Sequence, residues 1–339
     1  MIFIQSQNFD LSTNTVIEWL LHLKAPFIRA NKEDHGITLR HFSFQDGKAK
    51  IVLSVNGKDI DLDDVGSYWH RRGPGLLHSA PGARQTVKKS FSRVAAPEVV
   101  RNLNSQIQTL NEFVHKQLLA AATTLGNPNR VYTNKIVMLQ TAIALGIDVP
   151  ATIVTTRKEE LLAFLQKEKN IISKGIQESL FIPGENEHIV QYTEQVTEEL
   201  VSELPDSFAP SLFQKMVDKK IELRIFYLKG RCYSMAIFSQ NDDQTKVDFR
   251  KYNDEAPNRT VPYLLPEDIQ SRLTALMTVL DMDTGSIDMI VTAEKKYYFL
   301  EINPVGQFGM VSYPCNYLLE REIAYYLTGK KQSHDQIRQ

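Results

Sequence analysis

The chain has 339 residues, enough for two or three domains and a sizeable core. Its 39 basic and 40 acidic residues leave a net charge of -1, which excludes a general electrostatic attraction to nucleic acid or to an anionic membrane. The two cysteines, Cys232 and Cys315, are far apart and form no C-x-x-C, which excludes a disulfide scaffold and a cysteine zinc site.

The opening "MIFIQSQNFD" lacks the cationic start and long apolar stretch of a secretory signal, and no apolar run approaches a membrane span. A cytoplasmic protein is expected, with neither membrane nor nucleic acid as partner. "MIFIQS" reads as a first strand and "STNTVIEWLLHL" as an amphipathic helix with Ser12 as N-cap. "PFIRAN" is a second strand. "HFSFQDGKAKIVLSVNGKDIDL" alternates around "DGK" and "NGK", as hairpins do. "VGSYWHRRGPG" closes a small α/β unit on a Gly-Pro-Gly turn. From about Val94 to Leu125 apolar residues recur at three- and four-residue steps, predicting one long helix.

"GNPNRVYTNK" is a turn-rich loop, "KIVMLQTAIALG" a helix ended by Gly146, "VPATIVTT" a strand, "KEELLAFLQKEK" a charged helix and "NIISKGI" a strand. A long polar loop follows. The last third is strand-rich: "PSLFQKMV", "IELRIFYL", "RCYSMAIFSQ", "GSIDMIVTA" and "KYYFLEINP". It also holds the helices "PEDIQSRLTALMTVL" and "YLLEREIAYYL", the second ending at Gly329.

The two strands "SIDMIVT" and "YYFLEIN" carry the first chemical signal. A turn centred between Glu294 and Lys295 pairs Val291 with Tyr298 and Asp288 with Glu301. Opposed side chains on one sheet face sit about 5 Å apart, so two carboxylates there repel unless a cation joins them. Asn303, two residues on, adds a neutral oxygen on the same face. Asp288, Glu301 and Asn303 are therefore candidate magnesium ligands, against the plainer reading of a polar strand end.

Magnesium held by few protein ligands usually also binds phosphates, which need cations. No P-loop or G-x-G-x-x-G fingerprint is present. Instead Lys135 opens a helix after an irregular loop, and Lys174 ends an otherwise apolar strand. Glu222 and Arg224 alternate on one strand face, either as an ion pair or with the arginine fork turned to phosphate. "DFRKYNDEAPNR" places Arg250, Lys251 and Arg259 in a loop-like setting able to meet anions.

In this order and spacing the motifs resemble the ATP-grasp superfamily over most of the chain. The resemblance implies an α/β (α+β) fold holding ATP between two subdomains behind an N-terminal α/β domain, with ATP and Mg2+ as cofactors. It implies Lys135 and Lys174 as the two ATP lysines and "FQKMV" as the linker to adenine, with Gln214, Lys215 and Val217 at the base. It further implies Glu222 toward the ribose, Arg224 as the catalytic arginine facing the phosphates, Arg250 as a further phosphate-side residue, and Asp288, Glu301 and Asn303 as the metal ligands. Within the superfamily, "SYWHRRG", "GNPNRVYTNK" and "FLEINPVGQFGMVS" are most similar to the graspetide ligases, which join side chains within a ribosomally made precursor peptide. Arg71 and Arg72 resemble that group's aromatic-Arg-Arg motif, with His70 in place of the aromatic.

The implied division is 1–120, 121–200 and 201–339. The implied reaction is ATP-dependent esterification or amidation through an acyl phosphate. Arg71, Arg72 and Arg259 are candidates to meet an acidic precursor peptide, and a homodimer is expected. Two other readings stay open: a ligase that adds an amino acid to a separate carboxylate, and an ATP-binding regulator without chemistry.

Overall fold

The computed structural model describes residues 1–339 except 35, 74, 79–81, 93, 131–133, 178–180, 183–188, 191–192, 242–257 and 331–339. In chain order it runs β1 (Ile2–Ser6), α1 (Leu11–His22), β2 (Phe27–Asn31), β3 (Ile37–Gln45), β4 (Lys48–Val55), β5 (Lys58–Asp61), β6 (Ser67–His70), α2 (Ala83–Ser90), α3 (Ala95–Leu118) and β7 (Thr123–Leu125). There follow α4 (Lys135–Ala144), β8 (Thr152–Arg157), α5 (Lys158–Glu168), β9 (Ile171–Lys174), β10 (Phe181–Ile182), β11 (Ile189–Val190), β12 (Glu194–Val196), α6 (Glu198–Glu203) and β13 (Ser207–Lys215). The last part holds β14 (Ile221–Leu228), β15 (Arg231–Phe238), β16 (Arg259–Tyr263), α7 (Glu267–Val279), β17 (Thr284–Val291), β18 (Tyr297–Asn303), α8 (Gly309–Cys315) and α9 (Leu319–Thr328).

Two compact units result: 1–131 with 307–312 and 318–339, and 132–306 with 313–317. A sequence boundary at 200 would cut a sheet, because β13 lies between β9 and β8 in the order β12-β9-β13-β8. In the first unit a parallel sheet β2-β1-β6-β7 and an antiparallel sheet β3-β4-β5 share a core of Phe3, Leu53, Tyr68, Val114 and Leu118. Both expected hairpin turns form. Asp46 and Gly47, then Asn56 and Gly57, all have positive φ, as a two-residue turn matched to strand twist requires.

Three expectations are corrected in this unit. The first helix begins at Leu11 with Asp10, not Ser12, at its N-cap, and the Ser12 hydroxyl instead meets Gln307. The long helix stops at Leu118, and Thr123–Leu125 form a strand beside β6. Apolar positions continue at helical spacing into "AAATTL", but paired β-branched threonines and Gly126 at φ 76 suit a short strand and a turn. The "WHRRG" segment does not close the unit, since β7 and α9 still add to it.

Beneath that segment lies a buried polar network. Gln5 Oε1 accepts from the Tyr68 hydroxyl (2.7 Å) and from His115 Nε2 (3.0 Å), while Gln5 Nε2 and His70 Nε2 donate to the Gly73 carbonyl. Burial is the largest cause lowering both His70 and His115 to about 4, from an ordinary 6.5. The unfolded chain therefore takes up protons first, so stability is full above about pH 6.5 and falls as pH drops toward 4. The loss should reach several kcal/mol, because each tenfold drop in proton affinity corresponds to about 1.4 kcal/mol. His115→Gln should flatten that fall between pH 6.5 and 4.5 in denaturant titrations, and an unchanged slope would contradict it.

Candidate functional site

The second unit contains a five-stranded antiparallel sheet of order β16-β15-β14-β17-β18. One face is core: Leu223, Ile225 and Tyr227 of β14, Ile287 and Met289 of β17, and Phe299 and Ile302 of β18 pack with Met138, Leu139 and Ala142 of α4 and Leu273, Leu276 and Met277 of α7. Alternation therefore puts Glu222 and Arg224, and Asp288, on the other face.

On β18 the alternation is broken. Phe299 and Ile302 are both core residues, which strict period-2 spacing forbids. The register explains it. Val291 pairs with Tyr297 and Met289 with Phe299, but Asp288 pairs with Glu301, so Leu300 is an extra residue in a β-bulge. The expected Val291–Tyr298 pair is thus off by one, whereas the Asp288–Glu301 pair is present. Without the bulge Glu301 would share the core face of Phe299. Asn303 stands opposite Ser286, and its Oδ1 accepts from the Val305 amide at 3.1 Å. Gly306 closes this turn where a Cβ would lie 2.3 Å from Ser286 Oγ, so only glycine fits.

Each carboxylate is met by a cation. Arg224 Nη1 donates to both Asp288 oxygens, at 2.7 and 2.6 Å. Lys135 Nζ lies 2.9 Å from Glu301 Oε2 and donates to the Gly175 carbonyl at 3.0 Å. Lys135 is the first residue of α4, whose N-cap Asn134 accepts from the Ile136 and Val137 amides. Of the two readings of Glu222 and Arg224, the ion pair between them does not form: Glu222 Oε1 takes Lys219 Nζ and Ser239 Oγ, each at 2.6 Å.

The sheet β12-β9-β13-β8 carries the other candidates. Its α5 side is core, with Leu161, Phe164 and Leu165 against Ile171, Val196 and Phe213. Lys174 and Gln214 fall on the opposite face by alternation, Lys174 paired with Leu212 and Gln214 with Ile172. Gln214 Nε2 donates to Thr152 Oγ1, while its buried Oε1 has no partner among the described residues. The Lys215 amide donates to Ala151 and its ammonium meets Glu168 at 3.1 Å. Val217 lies in the segment joining the two sheets, whose ends are fixed by Met216 N to Asn170 O and Lys220 N to Val291 O.

These residues suit a magnesium nucleotide. Among the described residues no group of three or more His, Cys, Asp or Glu is arranged to hold a metal. Two carboxylates and an amide would need further oxygens, which phosphates supply. Arg224 Nε is buried without a partner among the described residues, leaving a donor for an anion, and Gln214 Oε1 leaves an acceptor for an amino group.

The remaining candidates separate. Arg71 is 6% exposed at its side chain and lies in the first unit. Its Nε is 2.9 Å from the fully buried Asp10, and its guanidinium stacks over Phe308. The ion pair with Asp10 and the ring of Phe308 both fix the direction of the guanidinium. Arg72 is less buried and 4.0 Å from Asp10. Arg259 is exposed, begins β16 rather than a loop, and stacks over Phe238. Arg250 and Lys251 lie outside the described residues. Burial raises the Cys232 thiol to about 11 and also raises Cys315, so neither is a poised nucleophile. Sequence reasoning missed Lys219, Ser239, Asp10 and the Asn134 cap; of these only Asn134 had a signal, an asparagine directly before a helix.

No protein-family model and no curated protein matches the sequence. Solved structures do. An ATP-grasp ligase from Chryseobacterium gregarium, associated with ribosomally made peptides and solved with ADP and a leader and core peptide, superposes with a TM-score of 0.78 at 28% identity, covering 98% of this chain and 97% of that one. The macrocyclase MdnC of Microcystis aeruginosa, bound with the precursor peptide MdnA, gives 0.74 at 23% identity, covering 97% and 99%. The D-alanyl-alanine synthetase A of Vibrio cholerae gives 0.54 at 13%, covering 97% of each chain, and shares the fold alone.

Proposed function

We propose that this chain, an ATP-grasp ligase of the graspetide type, uses ATP and magnesium to form side-chain ester or amide rings in a ribosomally made precursor peptide. The observation that carries the reading is the pairing on one sheet face: Arg224 on Asp288 and Lys135 on Glu301. Cations suited to phosphate stand against carboxylates suited to a metal, so a magnesium nucleotide would satisfy both sets at once.

A carboxylate is a poor acyl donor. Transfer of the ATP γ-phosphoryl group to it gives ADP and an acyl phosphate, and attack by a hydroxyl or amine of the same peptide forms the link and releases phosphate. Magnesium, when held by Asp288, Glu301 and Asn303, would offset phosphate charge and polarise the phosphoryl oxygens. Arg224 would donate to charge developing on the transferring group, with Lys135 and Lys174 on the flanking phosphate oxygens. Gln214 Oε1 and the main chain at Val217 would receive the base, and Glu222 the sugar. No covalent nucleophile is required, in keeping with the raised thiols.

The likeness to a ligase solved with leader and core peptide supports a peptide substrate over a free amino acid. Arg71, Arg72 and Arg259 are the arginines to test for acidic side chains of that peptide, and a cytoplasmic homodimer belongs to the same reading. With ATP, magnesium and the cognate precursor, mass spectrometry should show one water lost per link and one ADP made. Consumption of free amino acids with an unaltered precursor would favour the intermolecular ligase. Absence of ADP release with any carboxylate would favour a nucleotide-binding regulator.

A further inference from the structure

Lys219 is 7% exposed at its side chain, although it sits in the charged run "DKK" where sequence gives it no distinction. A buried ammonium needs a charged or polar partner. Its Nζ lies 2.6 Å from Glu222 Oε1, and the same oxygen accepts from Ser239 Oγ at 2.6 Å. Both anchors thus converge on one carboxylate oxygen, and Oε2 has no hydrogen-bond partner among the described residues. The residues paired with Glu222 in the neighbouring strands, Ile237 and Ile290, are apolar, so neither offers another anchor. Glu222 shares its sheet face with Arg224 and Asp288.

A carboxylate gripped by two donors through one oxygen presents the other in a fixed direction as an acceptor. We infer that Lys219 is a positioning residue that holds Glu222 so that Oε2 accepts hydroxyl groups of the nucleotide sugar. The inference rests on the reading of Glu222 as the sugar-side acid. Burial is the largest cause raising the Glu222 carboxyl, and Lys219 is the leading influence in the opposite direction. The short segment that carries Lys219 is pinned at Met216 and Lys220, so the lysine has little freedom to leave.

Calorimetry with ADP and 2′,3′-dideoxy-ADP, in magnesium, separates positioning from simple stabilisation. The parent should bind ADP about tenfold more tightly than the dideoxy analogue, as expected for hydrogen bonds to a charged group. Lys219→Met should bring that ratio close to one, mainly by weakening ADP, while Lys219→Arg should restore it. A Lys219→Met ratio equal to the parent's, or equal weakening of both nucleotides, overturns the inference. A parent ratio of one overturns the sugar-side reading of Glu222 itself, and this is seen without any variant. Should Lys219→Met not fold, Ser239→Ala removes the second donor from the same oxygen; an intermediate ratio supports positioning and an unchanged ratio overturns it.

Discussion

Glu301→Gln should lower ring formation by on the order of 10³-fold while leaving the fold in place. The substitution keeps the volume of a side chain that is 31% exposed and removes one charge from a site that has two carboxylates and an amide. Its opposite number, Asp288, keeps its contacts with Arg224. The ion pair with Lys135 is partly exposed and worth about 0.2–1 kcal/mol, so melting should shift little. Magnesium binding should weaken in step with turnover, which manganese titration of the ADP-bound protein reads without any reaction. Full turnover at unchanged magnesium requirement would return Glu301 to a polar strand end.

Arg224→Ala should cost turnover far more than nucleotide affinity, about 10³-fold in kcat against a few-fold in Kd. The guanidinium gives Nη1 to Asp288 and keeps Nε buried with no partner among the described residues. A donor of that kind contributes when charge moves onto the transferring group, and less when ATP merely rests there. Alanine also strips Asp288 of its counter-ion, so Arg224→Lys is the companion variant. It restores a charge near Asp288 without the planar fork, and should recover only part of the rate. Single-turnover phosphoryl transfer with calorimetric Kd for each variant makes the comparison. Equal losses in kcat and affinity would reassign Arg224 to ground-state binding.

Much of this site is legible in residue order because most of its parts lie on strands, where period-2 spacing fixes faces. Asp288 and Glu301 stand opposite each other although the turn expected from sequence is one step off, and Leu300 supplies the missing step. Nothing in "YYFLEIN" marks the bulge, since Leu300 is as good a strand residue as Phe299. Lys219 is invisible for another reason: its burial depends on how the linker meets Glu222, and no pattern in "VDKKIE" encodes that. The ion pair of Arg71 with Asp10 is not legible either, because the two stand 61 positions apart in sequence. Strand β16 is hidden in sequence by its polar residues, which suit its place as an edge strand among the described residues.

The division of the chain bears on the order in which its parts can be finished. The first unit includes 1–131, but α9, which packs on α1, β6 and β7, comes from the last residues described. Ser67 Oγ donates to the Leu327 carbonyl and the Tyr326 hydroxyl to the Thr124 carbonyl, across more than two hundred positions of sequence. Ribosomes make a polypeptide from one end, so the earliest strands wait for their cover until nearly every other element has emerged. The described strands of 132–306 have all emerged well before that. Vectorial synthesis would therefore complete the later body before the earlier one, and the apolar flank awaiting α9 is the surface that a nascent-chain chaperone would meet.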